Sequence, residues 1–189
     1  VAAACGGGGG GDDSTTTSST STTSTTIKAT TTTSSTSTTT TTVPATIRQP
    51  LTGEPLESED EILQRSALVA KIDNNAAAVP NHSGLAVADI VFEEVVEGRT
   101  TRFAAVFHSQ SSDPIGPIRS GRTQDVNLFT SFNSPLFVWS GGNPNVTRAI
   151  NESQLVNLGP NNASGYYRGP GRAPHNLYNS TDNIWLQAP

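Results

Sequence analysis

Short apolar runs, each closed by turn residues, recur along residues 66–139. The run 66–72 ends at Asp73-Asn74-Asn75, which has the composition of a turn, and the run 136–139 ends at Gly141-Gly142. Between them, 89–96 is rich in Val, Ile and Phe, Gly98 interrupts the pattern, and a further apolar run follows at 101–107. We predict four strands, the middle two paired as a hairpin.

Helical periodicity and capping residues predict three helices in the same part of the chain. The segment 123–132 carries apolar side chains at helical spacing, namely Val126, Leu128, Phe129 and Phe132. Asn143-Pro144 supplies an N-cap and a first-turn proline for a helix through Ile150, and 180–183 caps a helix that begins at 184–186. Strands and helices therefore interleave, which predicts an α/β or α+β class, a mixed sheet with flanking helices. The pattern leaves the strand order open.

A Ser/Thr-rich stretch separates this body from the start of the chain. Ser or Thr occupies 26 of the 29 positions in 14–42. Such a sequence has too few apolar side chains to form a core, so we predict a disordered linker. As a random coil it would span roughly 30 Å. The linker would therefore serve as a stalk.

The first 13 residues predict a leader. Val1-Ala2-Ala3-Ala4-Cys5 is followed by six glycines and two aspartates. Small residues before a Cys and a flexible tract after it resemble the end of a bacterial lipoprotein signal, in which the Cys thiol is lipidated. Ala2 stands where such signals more often carry Leu, and the alternative is a Cys5 without a role. We expect the natural protein to extend beyond the present ends.

Composition and charge exclude several classes of function. The 189 residues include 11 Lys or Arg and 16 Asp or Glu, an acidic balance that argues against nucleic acid as a partner. A single Cys excludes a disulfide scaffold and a cysteine zinc cluster. Residues 43–98 hold three basic and ten acidic side chains, whereas 99–189 hold seven arginines and four acids. This division indicates either internal salt bridges or a binding surface.

The segment 115–122, Ile-Gly-Pro-Ile-Arg-Ser-Gly-Arg, combines two glycines with two arginines just before a predicted helix. Glycines let backbone amides approach a ligand, helix N-termini attract anions, and guanidinium groups bind carboxylate or phosphate through paired hydrogen bonds. The pattern predicts an anion-binding loop that uses Arg119 and Arg122. The alternative is that both arginines pair with acids such as Glu93 or Glu97 and hold the hairpin against the loop.

Carboxylates in the predicted hairpin raise the question of acid–base chemistry. Alternation along a strand would place Asp89, Glu93 and Glu97 on one face, opposite Glu94. Four residues of strand span about 13 Å, too far for a retaining glycosidase pair, although pairs across strands stay open. The alternative is that these acids pair with arginines, namely Arg102, Arg119 and Arg122.

Two histidines have side chains that can act as bases or metal ligands. His108 follows a predicted strand, and His175 lies in a loop rich in Gly and Pro, where functional residues are common. Neither has the spacing of a local metal motif, so we predict no metal site and no cofactor. A Gly-x-Ser-x-Gly motif is absent from the sequence and Cys5 lies in the leader, so nucleophilic catalysis lacks support.

A series of motifs occurs in one order within residues 67–182. The motifs are Ile72-Asp73-Asn74, Ser83-Gly84-Leu85, Ala88-Asp89-Ile90-Val91-Phe92-Glu93, Val96-Glu97-Gly98, Thr101-Arg102-Phe103, the segment 115–122 and Ala173-Pro174-His175-Asn176-Leu177-Tyr178. Together they resemble the YerB-like bacterial lipoproteins, a family with a domain of unknown function. The eight-residue block 115–122 is the most specific of them.

The resemblance implies a lipid-anchored protein on the extracytoplasmic face of the bacterial cell membrane. Its domains would be a leader 1–13, a linker 14–42, an acidic lead-in 43–66 and a YerB-like N-terminal domain 67–189, cut before its end. The recurrent polar positions, with Ser120 added from the loop, form our candidate ligand-binding set: Asp73, Asp89, Glu93, Glu97, Arg102, Arg119, Ser120, Arg122 and His175. Where the family has a His before paired glycines, this chain has Trp139-Ser140, which puts catalysis by that His in doubt.

Three hypotheses for function follow. The leading one is a noncatalytic binding module of the cell envelope that recognises an anionic ligand, such as a cell-wall fragment, through the 115–122 loop. The second is an envelope hydrolase in which Glu93 or Glu97 works with His175. The third is a scaffold that binds protein partners, and the sequence does not separate it from the other two.

Overall fold

The computed structural model describes residues 46–189 of the chain. The predictions for the lipidated Cys5, for the linker 14–42 and for the first residues of the acidic lead-in lie outside these residues. Within the described part, no helix has the length and hydropathy that crossing a bilayer demands. Nor does any group of three or more His, Cys, Asp or Glu side chains in this part lie close enough to hold a metal ion.

A five-stranded mixed sheet forms the centre of the domain. Its strands are β1 (Leu68–Asp73), β2 (Ile90–Val95), β3 (Thr101–Phe107), β4 (Leu136–Val138) and β5 (Val156–Asn157). They are arranged in the order β2-β3-β1-β4-β5. The predicted hairpin β2-β3 is antiparallel, β3 is antiparallel to β1, and β1, β4 and β5 are mutually parallel. The predicted mixed sheet is confirmed. A separate antiparallel pair, β6 (Tyr167–Arg168) and β7 (Leu177–Tyr178), follows.

The three predicted helices are present and two have the predicted caps. They are α1 (Gln124–Phe129), α2 (Pro144–Asn151) and α3 (Thr181–Trp185). The Asn143 side chain accepts a hydrogen bond from the backbone N–H of Val146 at the start of α2. Helix α1 ends three residues earlier than predicted, because the backbone tightens into a 3₁₀ turn ahead of Asn133, which has a left-handed conformation. The 3₁₀ turns are Glu59–Glu61, Val79–Asn81, Leu85–Val87, Glu97–Arg99 and Thr130–Phe132.

Both faces of the sheet are buried, which explains why β1 is almost continuously apolar. One face packs in a core with the 115–122 segment, β7 and α3, through Leu68, Ala70, Ile72, Ile115, Ile118, Leu177 and Ile184. The other face packs against α1 and α2, through Val69, Ala104, Val106, Phe129, Phe137, Val146 and Ile150. Alternation along β1 assigns its residues to these two faces.

The face toward α1 also buries three charged side chains, which we call the buried triad: Lys71, Glu94 and Asp125. The Lys71 side chain is 0% exposed, and its Nζ atom lies 2.5 Å from Oε1 of Glu94 and 3.0 Å from Oδ1 of Asp125. The ammonium group also lies 5.8 Å from the centre of the Phe129 ring. Lys71 belongs to β1, Glu94 to β2 and Asp125 to α1, so the triad connects three elements.

Burial and hydrogen bonding shift the pKa values of the two carboxylic acids of the triad in opposite directions. Burial raises the pKa of Asp125 from 3.8 to about 6, against the attraction of Lys71. Burial also acts on Glu94, but hydrogen bonds from Asp125 and Lys71 outweigh it and hold the pKa of Glu94 below its ordinary value. Glu94 therefore carries the negative charge beside Lys71, and Asp125 gives up its proton only at higher pH.

Replacing Lys71 by Met leaves two buried acids without their cation. We expect Lys71→Met to lower the free energy of unfolding by about 3–5 kcal/mol, the usual cost of breaking a buried ion pair from one side. Urea unfolding of the full chain followed by circular dichroism measures the change. The double variant Lys71→Met, Glu94→Gln is the control, and it should recover part of the loss because it removes both charges. A loss below about 1 kcal/mol in the single variant would contradict the burial of a charged Lys71.

The raised pKa of Asp125 predicts a pH-dependent difference between the wild type and Asp125→Asn. At low pH Asp125 is protonated in both the folded and the unfolded state. Between its ordinary pKa of 3.8 and about 6 the unfolded side chain ionises while the folded one keeps its proton, so the wild type loses stability as the pH rises. Asn does not titrate. The free energy of unfolding of the variant relative to wild type should therefore rise between about pH 4 and pH 6 and stay level above, as measured by urea unfolding at each pH. If the difference in the free energy of unfolding between the variant and the wild type did not change with pH, the pKa of Asp125 would not be raised in the folded protein.

Candidate functional site

The segment 115–122, which we call the arginine loop, lies between β1 and β7. Its Ile118 N–H donates to the carbonyl of Leu177 (2.6 Å), and its Arg119 N–H donates to the carbonyl of Lys71 (2.9 Å). The loop thus continues the sheet beside the carboxyl-terminal half of β1, while β4 pairs with the first half. In sheets with parallel strands, the carboxyl ends of the strands are where ligands commonly bind.

Gly116 allows the close contact between the arginine loop and β7. A Cβ atom at this position would lie 2.5 Å from Cδ1 of Tyr178 and 2.7 Å from the carbonyl oxygen of Leu177. Both distances are shorter than atoms tolerate, and the φ of +151° also disfavours a side chain. Glycine in this motif therefore serves packing against β7.

Asp73, the last residue of β1, joins the arginine loop to the loop before β7. One oxygen, Oδ2, lies 2.5 Å from Nδ1 of His175 and 2.9 Å from Nε of Arg119. The Arg119 contact is an ion contact, because the Nε–H direction does not fit a hydrogen bond. The other oxygen accepts the backbone N–H of Asn75 (3.1 Å). We call Asp73, Arg119 and His175 the Asp73 cluster.

Arg102 of β3 lies opposite Asp73 in the sheet register and adds positive charge to this region. Its Nη1 donates to the backbone carbonyl of Ser120 (2.7 Å), so Ser120 takes part through its main chain. Burial lowers the pKa of Arg102, and the charges of Arg122 and Arg119 lower it further. Arg102 is thus bound to the backbone of the segment that carries Arg119 and Arg122.

Arg122 forms an ion pair with Glu97. Its Nε lies 2.9 Å from Oε2 of Glu97, and Nη2 makes a second, shorter contact to the same oxygen. The hydrogen bond from Arg122 lowers the pKa of Glu97, whose side chain is 73% exposed. Internal pairing therefore holds for both arginines of the loop, although only Arg122 pairs with an acid of the hairpin, whereas Arg119 pairs with Asp73 of β1.

The structure corrects the alternative that Asp89, Glu93 and Glu97 all pair with arginines. The strand β2 ends at Val95, so Glu97 lies in a 3₁₀ turn beyond it, where Gly98 has a left-handed conformation. Asp89 accepts the backbone N–H of Ser109 (2.9 Å) at the opposite end of β3 from Arg102. Glu93 accepts hydrogen bonds from Thr101 (2.7 Å) and Asn74 (3.4 Å). Asp89 and Glu93 thus bind local polar groups, and an arginine contacts only Glu97 of the three.

Of the nine candidate residues, the structure brings seven to one region: Asp73, Glu97, Arg102, Arg119, Ser120, Arg122 and His175. Asp89 lies at the far end of the sheet, and Glu93 lies beside the region without an arginine contact. His108 is buried at the same far end as Asp89. His82, which no motif of the sequence singles out, also contacts the region, because its Nε2 donates to the carbonyl of Asp73 (2.6 Å).

The sequence analysis also missed the buried triad. A Lys inside an otherwise apolar strand was the available signal, since a buried ammonium requires carboxylate partners. Which carboxylates these are depends on the packing of β2 and α1, and the local sequence carries no sign of it.

The region combines excess positive charge with one oriented imidazole. Three guanidinium groups face two carboxylates, and the side chains of Arg119 and Arg122 are each 20% exposed, so an anion in solution can reach them. His175 is bonded through Nδ1, and its Nε2 has no hydrogen-bond partner among residues 46–189. The arrangement can therefore bind a carboxylate or phosphate and can accept a proton from a neighbouring group.

Comparison with known proteins places the domain in a family. The model of a family described as "Protein of unknown function (DUF3048) N-terminal domain" matches residues 51–189. The chain is 36% identical over 141 residues to the "Putative lipoprotein YerB" of Bacillus subtilis, covering 73% of this chain and 41% of that protein. The crystal structure of YerB from Bacillus subtilis matches with a TM-score of 0.65 and 33% identity, over 73% of this chain and 47% of that one. The chain thus spans less than half the length of the relative.

Proposed function

We propose that this chain, which belongs to the DUF3048 family of proteins of unknown function, binds an anionic ligand of the cell envelope through its arginine loop. The relative named a putative lipoprotein supports membrane anchoring in this family. We extend the proposal to lipidation of Cys5 and to an extracytoplasmic location, with the Ser/Thr-rich linker as the stalk.

The observation that carries the proposal is that Arg102, Arg119 and Arg122 meet at one loop, where the carboxylates in contact with them among the described residues are Asp73 and Glu97. Repulsion among these guanidinium groups remains after Asp73 and Glu97 are counted, because three positive charges face two negative ones. A bound carboxylate or phosphate would relieve this repulsion and accept charge-assisted hydrogen bonds. Such a ligand supplies a third negative charge opposite the three guanidinium groups.

The loop is also held in place before any ligand arrives. Backbone hydrogen bonds join it to β1 on one side and to β7 on the other, and Ser120 is bound by Arg102. A preformed site binds with a smaller entropy cost than a mobile one. The glycine and arginine pattern of the motif thus has two roles, packing at Gly116 and charge at Arg119 and Arg122.

Neutralising the loop tests the proposal. We expect the full chain to be stabilised against heat by inorganic phosphate and by anionic muropeptides, and the shift to shrink at high salt. The double variant Arg119→Gln, Arg122→Gln should weaken binding about tenfold or more in calorimetric titration, because it removes two charge-assisted contacts.

The control is Arg148→Gln, which makes the same Arg-to-Gln change once, at an exposed position of α2 outside the loop. It should bind anions as the wild type does. Because the Glu97 side chain is 73% exposed, the Arg122 change should cost less than about 1 kcal/mol of stability. When Arg119 is replaced, Asp73 keeps its contacts with His175 and with the N–H of Asn75, so a folded double variant is expected. Equal binding by the wild type and a folded double variant would refute the anion site.

A second function, hydrolysis, is favoured by the contact between His175 and Asp73. A carboxylate on Nδ1 orients the imidazole and stabilises its protonated form, while Nε2 stays available for proton transfer. In this scheme Nε2 takes a proton from an attacking water, the water oxygen bonds to the ligand's electrophilic atom, and the proton passes to the leaving group. Asp73 takes the place that we predicted for Glu93 or Glu97.

Incubating the full chain with muropeptides and analysing the products by mass spectrometry tests this scheme. We expect products that have gained one water, and a loss of about 10²–10⁴-fold in rate for His175→Gln. His108→Gln, at the far end of β3, serves as the matched control and should keep the rate. Unchanged turnover in His175→Gln would refute the role of His175 in catalysis, and no turnover by the wild type would refute the hydrolysis scheme altogether.

A further inference from the structure

A neutral polar cavity lies at the ends of β4 and β5, next to the arginine loop. Its volume is about 350 Å³, within the range of about 300–1,000 Å³ typical of small-molecule sites. None of its lining residues is charged. The polar side chains that line it are Ser140, Thr147, Asn151, Asn157, Asn161 and Asn162.

Part of this wall is held rigid by hydrogen bonds. The indole Nε1 of the buried Trp139 donates to Oδ1 of Asn157 (2.6 Å), and Nδ2 of Asn157 donates to Oδ1 of Asn151 (2.6 Å). Asn162 is fixed by its donation to the backbone carbonyl of Asn157 (3.1 Å). The wall therefore keeps one geometry without help from a ligand.

Other polar groups of the wall are available to a ligand. Among the described residues, the Nδ2 of Asn151, the side-chain amide of Asn161 and the hydroxyl of Ser140 have no hydrogen-bond partner. Thr147 and Asn151 lie four residues apart on α2, so they share one face of that helix. Amides offer donors and acceptors together, which suits a ligand that carries both amide and hydroxyl groups.

The cavity and the arginine loop share one strip of backbone. The Ser140 N–H donates to the carbonyl of Arg119 (3.0 Å), and the Gly121 N–H donates to the carbonyl of Gly141 (3.1 Å). Residues 140 and 141 thus line the cavity on one side and hold the loop on the other. A single ligand that occupies both places has a neutral, hydrogen-bonding part next to an anionic group.

We propose that this cavity is a sugar subsite that binds an N-acetylated amino sugar, and that the anion bound by the arginine loop is a carboxylate or phosphate of the same glycan. The second half of this inference rests on the proposed anion binding, whereas the first half stands on the cavity alone. An acetamido group and ring hydroxyls supply the mixed donors and acceptors that the asparagines match.

Titration of the full chain with tri-N-acetylchitotriose, which has no charge, tests the cavity independently of the loop. We expect shifts in the side-chain amide signals of the cavity asparagines by NMR, and a rise in Kd of about three- to tenfold for Asn161→Ala. The matched control is Asn127→Ala, an exposed asparagine of α1, which should bind as the wild type does. No binding by the wild type at millimolar sugar would overturn the subsite.

The variant Arg119→Gln, Arg122→Gln separates this inference from the proposed function. It should keep its affinity for tri-N-acetylchitotriose and lose affinity for N-acetylglucosamine 6-phosphate down to the level of the neutral sugar. If phosphate fails to bind the wild type while the neutral sugar binds, the anion site is wrong and the subsite stands. Stronger binding of N-acetyl-dialanine amide than of the sugar would show a peptide site and overturn the glycan assignment.

Discussion

The rest of the domain depends on the burial of one ammonium group in the middle of the sheet. Lys71 has no exposed surface, so its charge is stable only beside Glu94 and Asp125. These partners come from the hairpin and from the helix that follows the arginine loop. Satisfying one charge therefore ties β2, across β3, and α1 to β1. The Asp125 carboxylate also accepts the N–H of Arg122 (2.7 Å) at the end of the loop.

Asp73 lies two residues further along the same strand, at the carboxyl end of β1, which we call the rim of the sheet. It too is held by basic side chains from other segments of the chain. Its carboxylate contacts His175 and Arg119, which are distant in sequence from it and from each other. The rim differs from the interior in one respect, since its positive charges exceed its negative ones and parts of the arginines remain exposed. The interior charges contact one another and serve the structure, whereas the excess positive charge at the rim is the part to which we assign ligand binding in our proposal.

In our proposal the neutral cavity beside the loop would make anion binding selective. An isolated arginine cluster would bind many anions, because charge alone distinguishes ligands poorly. A rigid wall of amides next to it would add hydrogen bonds whose geometry selects among those anions. Backbone hydrogen bonds of Ser140 and Gly141 connect the cavity to the arginine loop, so a shift of the backbone in the loop would also move the cavity wall.

Much of the fold was predictable because it rests on local patterns. Apolar runs, Gly98 and the Asn143 cap indicated β1 to β4, the hairpin and α2 where the structure has them, whereas the two-residue strands β5, β6 and β7 were too short to leave such a pattern. The residue types of the rim were also evident, since Asp73, Arg119 and His175 stand in distinctive motifs. Their pairing was not, because contacts between residues 73 and 175 depend on how β1, the arginine loop and β7 align. The sequence by itself determined elements and charges, and only the tertiary structure decided the partner of each charge, since an ion pair forms through space between distant segments.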